Sequence, residues 1–241
     1  MGPKSNSRRL LRLLIYGRIR FQNMKPSTRK LAVITALSLS NWTFAAEPAI
    51  PSVPFDEALS RLKTGNERFV SSKMSESKPV AARRAETAKS QHPFAVVVGC
   101  ADSRTAPEIV FDETIGDLFV VRTAGNLVDD YALGSIEYAV EHLGVRLIVV
   151  LGHGRCGAVK AALGGSTAPG HINSLVRDIQ PAVEATKGKE GDRVANAIHE
   201  NNALVAAKIR KLAQFGDLAA QVRVVEGFYD LDTGKVEWAT K

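Results

Sequence analysis

At 241 residues, with 45% hydrophobic and 24% charged side chains, the chain has room for one sizeable folded domain and is too apolar for a disordered protein. Its formal charge of +7 looks like that of a nucleic-acid binder, yet nine of its 32 Lys and Arg residues, and none of its 25 Asp and Glu residues, fall within the first 46 positions. The remainder carries a formal −2 and no basic, aromatic-rich stripe, which disfavours nucleic-acid binding by the folded part.

Residues 1–23 form a basic extension in which Arg8, Arg9, Arg12, Arg18 and Arg20 alternate with Leu and Ile. Its status stays open between a longer signal, an organelle presequence and an untranslated stretch. Residues 24–45 read as a signal peptide: Lys25, Arg29 and Lys30 precede a short apolar core, and Thr43 and Ala45 supply the small residues that favour cleavage after Ala45. That core is too short for a permanent membrane span. The expectation is a periplasmic or secreted mature protein with no stable span. Residues 46–54 are Pro- and Ala-rich and read as a linker.

The folded domain is expected over 55–241. An amphipathic helix opens at Phe55, with Leu59, Leu62 and Phe69 on its apolar face and Gly65-Asn66 bending or ending its first part. Residues 71–90 read as surface helix plus loop. Continuous apolar runs at 94–98, 118–121 and 147–151 suit strands covered on both faces, and helical spacing over 134–143 joins the last two as a parallel crossover. A short helix follows over 156–163, stopped by Gly164-Gly165. Two longer helical segments come next, around 172–186, which Pro181 would bend or divide, and 192–215. Residues 222–238 read as a hairpin turning at 230–234. The fold class is therefore α/β, with a mostly parallel central sheet flanked by helices.

Both cysteines of the domain, Cys100 and Cys156, sit in segments leaving apolar runs, where open parallel sheets gather reactive groups. Asp102 lies two residues beyond Cys100, and His153 three before Cys156. Two thiolates and an imidazole suit Zn²⁺, which accepts sulfur and nitrogen in a tetrahedral shell, and a fourth position would be open to water or closed by Asp102. A Cys100–Cys156 disulfide, a permanently closed structural zinc and a pair of metal-free buried thiols are the alternatives. Arg104, two residues after Asp102 and on the same side of the chain if the backbone there is extended, can hold that carboxylate through two parallel hydrogen bonds, keeping it ionised and off the metal.

These motifs identify a resemblance. Cys100-Ala-Asp102-Ser-Arg104 with His153-Gly-Arg-Cys156 resembles the paired zinc motifs of beta-class carbonic anhydrases, and the similarity extends through Gly65-Asn66-Glu67-Arg68-Phe69, Arg122-Thr-Ala-Gly-Asn126 and Gly134-Ser-Ile-Glu-Tyr-Ala-Val140. The resemblance implies one zinc per subunit on Cys100, His153 and Cys156, with Asp102 and Arg104 as the catalytic pair. Gln91 would contact substrate, and Phe119, Ala124 and Tyr138 would line the apolar side of its pocket; a valine is more usual where Ala124 stands. The implied reaction is reversible hydration of CO₂ to bicarbonate and a proton by zinc-bound hydroxide, in a homodimer or homotetramer. The bicarbonate-inhibited subgroup carries a tryptophan where this chain has Val97, so an open site is expected. Hydrolysis of carbonyl sulfide or carbon disulfide at the same zinc is the nearest rival activity, and a non-catalytic zinc-stabilised binding protein the rival of another class.

Overall fold

The three continuous apolar runs become adjacent strands of a five-stranded sheet in this computed structural model, which describes residues 52–75, 80–165, 168–212, 216 and 218–239; the run at 118–121 forms the edge strand and is only half-buried, not covered on both faces as expected. The basic extension 1–23, the signal segment 24–45 and positions 46–51 of the linker lie outside the described residues. The described residues belong to one compact unit, Glu47–Lys241.

In chain order the elements are α1 (Phe55–Val70), α2 (Val80–Thr87), β1 (Ala95–Cys100), α3 (Pro107–Val110), β2 (Leu118–Thr123), a 3₁₀ turn (Ala124–Asn126), α4 (Asp130–His142), β3 (Leu147–His153), α5 (Gly157–Leu163), α6 (Ile172–Ala185), α7 (Arg193–Arg210), β4 (Arg223–Tyr229) and β5 (Val236–Trp238). The sheet order is β2-β1-β3-β4-β5, parallel except for the last pair. The mostly parallel architecture expected from the sequence is thus the one observed.

Alternation along the strands divides the core. Val96, Val98, Ile148 and Val150 face Ile136, Ala139 and Val140 of α4 and Val205, Ala206 and Ile209 of α7. Ala95, Val97, Leu147, Val149 and Leu151 face the opposite way, onto Ala58 and Leu62 of α1 and onto Phe111. Successive side chains of a strand point to opposite faces, so strands covered on both sides must be apolar at every position, and β1 and β3 are buried throughout. Two of the helices begin at a side-chain cap. Asp129 accepts from the Ala132 amide at the start of α4, and Asp192 from the Ala195 amide at the start of α7.

Several boundaries differ from expectation for identifiable reasons. The first helix is continuous through Gly65 and Asn66 rather than bent or ended there. A side chain at Gly65 would place its Cβ 1.8 Å from the Phe111 carbonyl oxygen, so glycine allows close packing rather than a bend. Asn66, 6% exposed, donates to the carbonyls of Val110 (3.1 Å) and Gly234 (2.9 Å) and accepts from the Val236 amide (2.9 Å), stitching α1 to the terminal hairpin. Pro181 does not divide α6; it lies on that helix's exposed side. β1 and β3 run further than their apolar runs, ending on Cys100 and His153 themselves. Cys100 pairs with Thr123 and His153 with Tyr229, so both reach the same edge of the sheet. Among the described residues, no helix is long and apolar enough to cross a membrane.

Candidate metal centre

At that edge the ligating atoms of Cys100, His153 and Cys156 all lie within 4.8 Å of one another. The three side chains are 5%, 1% and 2% exposed, and both thiols are free, which removes the disulfide reading. β1 and β3 are neighbours and carry Cys100 and His153 on their last residues. Cys156 precedes the first turn of α5. The loop between His153 and Cys156 closes because Arg155 adopts a left-handed backbone (φ 56°). Two groups hold it there: the Gly154 amide donates to the Tyr229 carbonyl (2.9 Å), and Arg155 makes a bidentate ion pair with Asp232 of the β4–β5 turn (2.6 and 2.9 Å).

The imidazole's orientation tests whether the cluster fits a cation. Its Nδ1 lies 3.0 Å from the Gly154 carbonyl, which can only accept, so Nδ1 carries the proton and Nε2 the lone pair. That Nε2 is buried and has no hydrogen-bond partner. A buried polar atom left alone costs about 1–3 kcal/mol unless something occupies the space it faces. Here it faces two sulfurs.

The thiols point the same way. The Cys100 pKa is pushed far down, chiefly by its hydrogen bond with Cys156, with backbone amides including that of Gly125 adding to the effect against burial. The Cys156 pKa is pushed up by the same shared hydrogen bond and by burial. A divalent cation would favour the thiolate form of both. A sulfur–sulfur–nitrogen donor set with an orphaned imidazole nitrogen fits zinc.

Asp102 stands beside this cluster, its Oδ2 3.9 Å from His153 Nε2. Its carboxylate accepts from the Arg104 backbone amide (3.0 Å), from Nε (2.8 Å) and from Nη2 (2.7 Å). Arg104 chiefly, through these bonds, holds the Asp102 pKa well below the usual carboxylate range. The pair forms across a turn rather than an extended segment, with Arg104 folding back over the residue two before it. Arg122 completes the loop, donating from Nε to the Cys100 carbonyl (2.7 Å) and from Nη2 to the Asp102 carbonyl (2.6 Å). Buried Thr105 donates to the Asp102 carbonyl as well (2.9 Å). Asp102 is held by Arg104, and Val97 is wholly buried between Val120 and Val149.

The remaining predicted residues are more dispersed. Phe119 is half-buried on β2, opposite Val96, and packs against the α4 side of the core. Ala124, also half-buried, opens the 3₁₀ turn next to Gly125. Gln91 is exposed in the segment before β1, and Tyr138, 43% exposed, rests its ring on His142 (5.1 Å between centroids). The sequence reading did not single out the Gly125 amide, which donates to Cys100 Sγ (3.2 Å), nor buried Asn201, which donates to the Gly125 carbonyl (2.9 Å). A backbone donor carries no side-chain signature. The two adjacent asparagines amid the apolar positions of α7 were the one available sign.

The family model described as carbonic anhydrase matches residues 95–236. A carbonic anhydrase of Mycolicibacterium smegmatis is 43% identical over 183 residues, covering 73% of this chain and 89% of its own length. Carbonic anhydrase 2 of Mycobacterium tuberculosis is 43% identical over 185 residues, covering 72% and 87%. Among solved structures, a Coccomyxa beta-carbonic anhydrase in complex with acetazolamide superposes with a TM-score of 0.62 at 28% identity, over 76% of this chain and 86% of that one.

Proposed function

The chain belongs to the beta-class carbonic anhydrases, and from that membership we propose that Cys100, His153 and Cys156 hold one catalytic zinc per subunit for reversible hydration of CO₂ to bicarbonate and a proton. The observation that carries this reading is the buried Cys-His-Cys cluster with an unpartnered imidazole Nε2, flanked by a carboxylate that Arg104 keeps ionised. Zinc, when bound, supplies the Lewis acidity that makes water a nucleophile near neutral pH.

The chain's own groups do the rest. Asp102, with Arg104 fixing its direction, accepts the hydrogen bond of the attacking water and aims an oxygen lone pair at the CO₂ carbon. Arg122 and Thr105 hold the backbone of this loop, so that Asp102 keeps its place while charge develops. Phe119, Ala124 and Tyr138 form the apolar wall that receives CO₂, and the Gln91 amide donates to the bicarbonate as it forms. Departure of bicarbonate and one proton resets the site.

Gln91 and Tyr138 are exposed in the single chain, which supports a homodimer or homotetramer whose pockets are completed where subunits meet. The leader at 24–45 supports export. On that reading the protein recovered from outside the cytoplasm has a mass starting at Ala46, and a cytoplasmic full-length chain would contradict it. The function itself is tested by stopped-flow CO₂ hydration on protein of known zinc content. The expected rate rises in proportion to zinc and vanishes on chelation; a zinc-loaded protein with no hydration would leave only a zinc-stabilised binding protein.

A further inference from the structure

Asn201 and Asn202 sit side by side on α7, each 2% exposed, on a helix whose buried positions are otherwise Ala197, Ile198, Val205, Ala206 and Ile209. Two buried amides among apolar side chains are costly unless bonded, and both are bonded, to the 3₁₀ turn and to β4. Successive helix residues point about 100° apart, so the two reach different targets. Asn202 donates to the Gly227 carbonyl on β4 (2.9 Å) and accepts from the Asn126 side chain in the 3₁₀ turn (3.1 Å). It also packs against the backbone of Gly152, the residue before His153, where a Cβ would meet its Oδ1 at 2.5 Å. Asn201 donates to the Gly125 carbonyl (2.9 Å), and the Gly125 amide, on the other side of the same residue, donates to Cys100 Sγ (3.2 Å).

Gly125 is held in a left-handed conformation (φ 71°) that other residues adopt with difficulty, and a Cβ there would meet Ile179 at 2.9 Å. The turn follows directly on β2, and two side chains of α7 hold its far end. Asn201 grips it at Gly125, and Asn202 grips it one residue later through Asn126. We propose that Asn201 is a positioning residue for the metal centre: by holding the Gly125 carbonyl it fixes the backbone on one side of Gly125, and so keeps the amide on the other side bonded to the Cys100 sulfur. Such a bond draws electron density off the thiolate, so the sulfur donates less to the metal and more Lewis acidity remains for water. The asparagine pair thereby couples one helix to both ligand strands.

This inference rests on the zinc reading and is separable from it. The test uses the full chain loaded with Co²⁺, whose sulfur-to-metal charge-transfer absorption reports thiolate donation, together with zinc competition against a chelator. Asn201→Leu keeps the volume and removes the donor; Asn201→Ser serves if the first variant does not fold. Val205→Ala, on the same helix but in the core cluster on the α4 side, loses stability without touching the turn. The expected result is a shift of the charge-transfer band to lower energy in the Asn201 variants, because the freed sulfur donates more, together with zinc held about 10-fold less tightly because the sulfur is no longer held in place, and neither change in Val205→Ala. Asn201 variants that match the wild-type band and affinity, or a Val205→Ala protein that shifts equally, would overturn the proposal while leaving the zinc site standing. A wild-type chain that takes up neither cobalt nor zinc removes both.

Discussion

Asp102→Asn is expected to lower CO₂ hydration by about 100-fold or more, within the range of lost acid–base assistance, while the protein retains its full complement of zinc. Asparagine keeps the shape of the side chain but gives up its charge, and one of its two polar ends becomes a donor where both oxygens now accept from Arg104. The guanidinium loses its bidentate partner, and the attacking water loses an acceptor whose direction is fixed. Metal binding is expected not to depend on this residue, because Asp102 is engaged by Arg104 while the three ligand atoms cluster without it. Paired measurements of zinc content and turnover separate the possibilities. Loss of zinc along with activity would make Asp102 a permanent ligand of a closed structural site, and unchanged turnover would end its assigned role.

His153→Ala removes a ligand rather than an orienting group, and the effect falls on the metal first. Structural zinc sites bind with roughly 10–16 kcal/mol spread over four ligands, so one ligand is worth about 2.5–4 kcal/mol, roughly 70- to 900-fold in affinity. The variant is expected to emerge from chelator dialysis without zinc and without measurable hydration. The fold should survive, since His153 terminates its strand and the core of β3 lies upstream of it in Leu147, Ile148, Val149, Val150 and Leu151. Circular dichroism that matches the wild type would confirm that the loss is local. A zinc-replete and active variant would show that the metal is held elsewhere.

Much of this centre could be read from the sequence because its chemistry is local. Cys100 with Asp102 and Arg104, and His153 with Cys156, are each grouped within a few residues at the end of an apolar run. A parallel sheet brings such ends to one edge whatever the length of chain between them. The strand-helix-strand crossover was equally legible, since buried parallel strands must be apolar at every position. What escaped was long-range. Gly65 and Asn66 look like helix breakers locally, and only the Phe111 carbonyl against one and the terminal hairpin bonded to the other make them helix residues. The Asp102–Arg104 spacing predicted contact through an extended backbone, whereas a turn delivers it. The Gly125 amide on Cys100 depends on Asn201, 76 residues away, and no pattern of side chains marks that partnership in advance.

X-ray absorption at the zinc edge of the purified protein addresses the metal directly. The account predicts two sulfur scatterers near 2.3 Å and two light atoms near 2.0–2.1 Å, one from the His153 imidazole and one from solvent oxygen. A first shell without sulfur, or a metal-free protein lighter by two hydrogens from a Cys100–Cys156 bond, would contradict it.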